Sequence, residues 1–167
     1  MDKKVTICGQ INGSVNFAMQ QNYVPVIRSL VIHNETQESL NDLRLKITFE
    51  PDFAREFIFE IESIDAGGSV EISPVRIRLS TEFLFSLTEK MVGSIFIELY
   101  EGDSRIYEYE DSIELLAYDQ WSGLLIMPEM IAAFVTPNHP RIAEVIARAS
   151  KYLEQWTKRP AFTGYQT

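Results

Sequence analysis

Leu43-Arg44-Leu45-Lys46-Ile47-Thr48-Phe49-Glu50 is the stretch that decides the fold. Its apolar residues fall at every second position, alternating with Arg44, Lys46, Thr48 and Glu50. Successive side chains of a strand point to opposite faces, so this period of two reads as a strand with one buried and one wet side. Working outward, Phe57, Phe59 and Ile61 repeat the pattern against Glu60 and Glu62, and Ile95, Ile97 and Leu99 repeat it again. Residues 26–32, 70–79 and 105–116 are further strand candidates. Val75, Ile77 and Leu79 are expected on one face of the second, and Ile113 and Leu115 are expected to be buried near the end of the third. Residues 15–19 make one more, shorter candidate.

Turn chemistry separates these runs. Segments 34–42, 50–52, 65–69 and 101–104 supply Asn, Asp, Gly and Pro, which tolerate tight or left-handed conformations. Short strands with such punctuation, and no alternation of strand with long helix, predict a mainly β fold, an immunoglobulin-like antiparallel sandwich. Residues 80–90 break the pattern: Ser80 or Thr81 caps a short helix with Phe83, Leu84 and Leu87 at helical spacing, crossing between two strands. Near the end, Ile142, Val145, Ile146, Ala149, Tyr152, Leu153 and Trp156 fall on one stripe of a long amphipathic helix. Pro140 suits its first position, with Asn138 or His139 ahead as cap. Covering the stripe stabilises by roughly 2 kcal/mol for each of Ile146, Leu153 and Trp156. The expected division is a sandwich over 1–118, then an aromatic linker and helical extension over 119–167 leading to a downstream domain.

Composition narrows the function. The 167 residues are 46% hydrophobic, enough for a packed core, so disorder is not expected. A net charge of -9 disfavours independent binding to polyanions, so neither direct nucleic-acid binding nor an anionic membrane surface is expected. Cys8 is alone, so no intramolecular disulfide forms, and no apolar run approaches the length of a membrane span. With no signal-peptide pattern at residues 1–7, the expected compartment is the cytoplasm.

Candidate chemistry is thin. His33 and His139 stand apart from each other and from Cys8, which reads as a small buried strand residue; no catalytic, cofactor or metal site is expected. Gly67-Gly68-Ser69 lacks the lysine and helix of a phosphate loop and reads as a strand-connecting turn. Glu98, Glu101, Asp103, Glu108, Glu110, Asp111 and Glu114 cluster in one predicted hairpin. Alternation with Tyr107 and Tyr109 makes this a solvated strand face, usable as an acidic patch toward a basic partner. Tyr118, Trp121, Trp156 and Tyr165 form either a ligand platform or an interdomain seam. The candidate interaction surface is therefore Tyr118, Trp121, Glu108, Glu110 and Trp156.

An ordered series of motifs runs along the chain: Gln20-Gln21-Asn22-Tyr23-Val24-Pro25-Val26-Ile27-Arg28-Ser29-Leu30, then Glu114-Leu115-Leu116-Ala117-Tyr118-Asp119-Gln120-Trp121, then Ala133-Phe134-Val135-Thr136-Pro137-Asn138-His139-Pro140, then Gly164-Tyr165-Gln166. It resembles the N-terminal region of very large bacterial helicase-like proteins of unknown function. In that family a transglutaminase-like segment, a superfamily-one helicase core and often a nuclease-like domain follow. The resemblance implies a non-catalytic interaction or scaffolding domain whose partners are other domains of the same polypeptide or another protein. Segments 29–50 and 65–73 also resemble strand–turn patterns of bacterial immunoglobulin-like domains. The alternative reading is a sandwich that binds carbohydrate or peptide.

Overall fold

The computed structural model describes residues 5–120 and 140–157. The chain divides into two units, Met1–Ala133 and Phe134–Thr167.

The first unit is mainly β. Its elements are β1 (Val5–Ile11), β2 (Ser14–Val15), α1 (Phe17–Gln21), β3 (Ile27–Asn34), β4 (Leu40–Glu50), β5 (Phe57–Ile64), β6 (Ser69–Ile72), α2 (Thr81–Ser86), β7 (Met91–Glu101) and β8 (Ser104–Leu115). They form a three-stranded sheet, β1-β3-β6, and a five-stranded sheet, β2-β8-β7-β4-β5. The chain changes sheet at Asn12, whose N–H donates to the Val26 carbonyl (2.8 Å). It then runs parallel to β8, with the Leu116 N–H donating to the Val15 carbonyl (2.9 Å). Strands split in this way, with a helix crossing from β6 to β7, make an immunoglobulin-like arrangement.

The deciding stretch sits at the centre. β4 pairs with β5 on one side and β7 on the other, placing Leu45 opposite both Phe59 and Leu99. Leu43, Leu45 and Ile47 are fully buried, as are Ile95, Leu99, Ile113 and Leu115, and Leu30 and Ile32 belong to the same core from the smaller sheet. Each such side chain contributes about 2 kcal/mol by leaving water. Phe53 and Leu84, also at 0% exposure, plug the core from the connections, and Phe53 meets Phe49 edge-on at 5.1 Å. Ser80 caps α2, accepting from the Phe83 N–H (3.3 Å).

Four expectations need correction. Residues 15–19 are not a strand: after Val15, Asn16 accepts from the Met19 N–H (2.9 Å) and caps α1. Segment 70–79 is a strand only to Ile72, because Pro74 has no N–H to give a ladder. Beyond it, Val75 is buried without being a strand residue, and Leu79 makes a single bridge to Ala54. Cys8 is exposed, not buried, since it lies opposite Val31 on the outward face of an edge strand. Phe59 shares a face with buried Leu45 yet is 38% exposed, because it lies on the outermost strand of the broader sheet.

In the second unit, α3 (Pro140–Thr157) spans 18 residues and starts at the predicted proline. On its apolar stripe, Val145, Tyr152 and Trp156 are all more than half exposed. No described helix is long and apolar enough to cross a membrane.

Candidate interaction surfaces

Tyr118 lies just beyond β8, where the chain leaves the five-stranded sheet. Its N–H donates to the Leu87 carbonyl (2.8 Å), and its ring centroid is 5.7 Å from that of Phe85 on α2. Phe85 in turn is 5.1 Å from Phe17 on α1. Buried Asn16 fastens the same corner: its Nδ2 donates to the Gln120 carbonyl at 2.7 Å, across 104 residues of sequence. The Gln120 side chain accepts from the Ala117 N–H (3.2 Å). Two short helices and the exit segment are thus held together at one end of the unit. Even so, Phe85 stays 59% exposed and Tyr118 42% exposed. The successive rings are tilted by 57°, which makes a wedge and not one flat floor. A sugar ring stacks on a flat face, so the tilt favours a packed protein seam.

Of the other expected members of this group, Trp121 and Tyr165 lie outside the described residues, as does His139. Trp156 is on α3, in the other unit, and is 82% exposed.

Glu108 and Glu110 are on the outward face of β8, opposite Glu98 and Phe96 of β7. Cations thread this face. Arg105 bridges Glu98 (2.8 Å) and Glu108 (2.9 Å), Lys90 pairs with Glu114 (2.7 Å), and Lys46 pairs with Glu56 (3.1 Å). The Glu98 hydrogen bond holds the Arg105 guanidinium above its ordinary range, and the Glu56 hydrogen bond does the same for the Lys46 ammonium. Such exposed pairs add little stability but offset local charge. Among the described residues Glu110 accepts only from the Ser94 hydroxyl (3.1 Å), so acidic character survives there.

Tyr107, Tyr109 and Asp111 point to the opposite face and line a crevice of about 210 Å³ with Ile7 and Gly9 of β1. Burial raises the Tyr107 phenol above its ordinary value, and the Asp111 carboxylate raises that of Tyr109. Both remain neutral donors near pH 7.

A hollow of about 690 Å³ was not foreseen from sequence. It lies between the α1–β3 turn and segment 74–79, with Met19, Pro25, Val75 and Ile77 in its wall. Tyr23 stands at it, 92% exposed and at φ +56°. The sequence signal there is the Tyr23-Val24-Pro25 stretch. The ionisable groups of its described lining are Tyr23, Arg76 and Arg78, a set without a carboxylate, histidine or thiol. His33 is elsewhere, paired with Thr6 and Ser69 within the smaller sheet. Among the described residues, no three His, Cys, Asp or Glu side chains are grouped as metal ligands.

No family model and no curated protein matches the chain.

Proposed function

We propose that this chain is a non-catalytic interaction and scaffolding module, placed at the head of a larger helicase-like protein. Its partners are other domains of the same polypeptide or a separate protein. The observation that carries this reading is the aromatic wedge of Phe17, Phe85 and Tyr118. It is fastened from behind by a buried asparagine, yet its Phe85 and Tyr118 rings stay exposed. Rigidly supported, exposed aromatic side chains bind at low entropic cost, because little motion remains to be lost on contact. The helicase-like setting rests on the four motifs quoted above and is tested by the reading frame that follows the Thr167 codon.

Photo-crosslinking tests the surface itself. With a photoreactive phenylalanine analogue at position 85 or 118 of the full gene product in its own cells, we expect crosslinks to defined protein segments. The same probe at exposed Glu89, on the α2–β7 connection, is expected to give far fewer. Crosslinks to nucleic acid alone, or equal yields at all three positions, would contradict the proposal.

A further inference from the structure

We infer that the edge of β5 left unpaired among the described residues is a docking strand for an extended protein segment in which apolar and basic residues alternate. This rests on the interaction-module reading but concerns a different surface from the aromatic wedge.

The edges of the two sheets, at β1, β6, β5 and the β8 side beside the two-residue β2, differ in how they discourage pairing. β6 has four residues and ends before Pro74, while β1 contains an irregularity at Gln10 and Ile11. β8 shifts register opposite Leu99 and Tyr100 and is partly covered by β2. β5 has none of these devices. It is eight residues long, pairs with β4 without a register break, and contains no lysine, proline or glycine. An edge of this kind presents a row of unpaired backbone donors and acceptors, which natural strands ordinarily blunt.

The side chains on that edge specify what is added. On the core-side face, Phe57 and Phe59 stack at 6.3 Å with an interplanar angle of 6°, and Phe59 stays 38% exposed. They offer an apolar shelf to alternate residues of an added strand. On the other face, Glu60 and Glu62 are exposed, and among the described residues neither has an ion-pair partner. Arg44, directly opposite Glu60, is engaged with the Tyr100 ring, 5.2 Å from its centroid. The intervening residues of an added strand are therefore best basic. The same charges argue against a second copy of this chain. Antiparallel pairing of two β5 edges, in either register that keeps most of the strand paired, sets Glu60 against Glu60 or Glu62 of the other copy. Like charges directly opposite destabilise a pair.

The test uses the full chain and two labelled octapeptides, one alternating Val and Lys and one alternating Val and Glu, followed by fluorescence anisotropy. The Val–Lys peptide is expected to bind saturably and the Val–Glu peptide not to bind. Combining Glu60→Lys with Glu62→Lys should weaken the first peptide by about tenfold or more and admit the second. Phe59→Ser should weaken the Val–Lys peptide, with unchanged circular dichroism confirming the fold. Binding that ignores all three substitutions, or no binding, overturns the docking strand. So does a concentration-dependent dimer that Phe59→Ser dissolves, which would assign the edge to self-pairing. None of these results touches the crosslinks at positions 85 and 118, so the two proposals fail separately.

Discussion

Asn34→Asp is expected to destabilise the protein by about 4 kcal/mol at neutral pH, because it sets a buried carboxylate against carbonyl oxygens. Asn34 is 2% exposed at the end of β3. Its Nδ2 donates to the carbonyls of Glu38 (2.8 Å), Ile64 (3.1 Å) and Asp65 (3.0 Å). Its Oδ1 accepts from the N–H of Thr36 (2.9 Å) and from the Thr36 hydroxyl (2.7 Å). One amide thus ties the β3–β4 connection to the end of β5. Aspartate keeps the shape but exchanges the donor for a second acceptor, setting a carboxylate against three carbonyls that have lost their Nδ2 donor. Denaturant unfolding of the variant beside Asn34→Ala separates the two costs. Alanine is expected to lose about 3 kcal/mol, from unmade hydrogen bonds without the added charge. A loss under about 1 kcal/mol for both would mean that water satisfies this corner equally well.

Gly93→Ala is expected to cost about 3 kcal/mol, the upper end for overpacking by one methyl group. Gly93 lies on the inward face of β7, opposite Ile113. A Cβ there would sit 2.7 Å from the Glu50 carbonyl oxygen, 3.1 Å from Leu115 Cδ1 and 3.2 Å from Phe53 Cε1. The first of these is backbone in the paired strand and cannot swing aside. The space a side chain would fill is taken by Phe53, so the glycine and the phenylalanine plug are two halves of one packing solution. Gly13→Ala is the control, since nothing lies within 4 Å of its Cβ. Thermal unfolding that shifts Gly93→Ala no more than Gly13→Ala would refute the close approach.

Patterns of period two were readable because one face of β4 and β7 is wholly enclosed and the other wet, which leaves a clean alternation in sequence. The crossing helix was readable from Ser80 and the spacing of Phe83, Leu84 and Leu87. What escaped notice has physical causes. α1 has five residues, too few for a 3.6-residue period to declare itself, and only its Asn16 cap gave a signal. Phe57 and Phe59 carry the same alternation as Leu43 and Leu45. Whether a strand is covered depends on how many strands lie opposite, a property of topology that no single stretch records. Asn34 and Asn16 look like ordinary polar turn residues, and their burial follows from carbonyls brought in from 30 and 104 positions away. Of the expected surface, Tyr118, Glu108 and Glu110 belong to the sandwich unit and Trp156 to α3. Phe17 and Phe85, which complete the Tyr118 wedge, are adjacent to it only through the fold.

Amide exchange across β5 in the unbound, dilute full chain tests most directly whether this sandwich presents an open edge. Residues of an edge strand alternate between N–H groups bonded to the neighbour and N–H groups facing water. Residues 57–64 should therefore show slow and fast exchange in strict alternation, while both sides of β4 are slow throughout. Uniformly slow exchange along β5, matching β4, would show that the edge is already covered and would contradict the account.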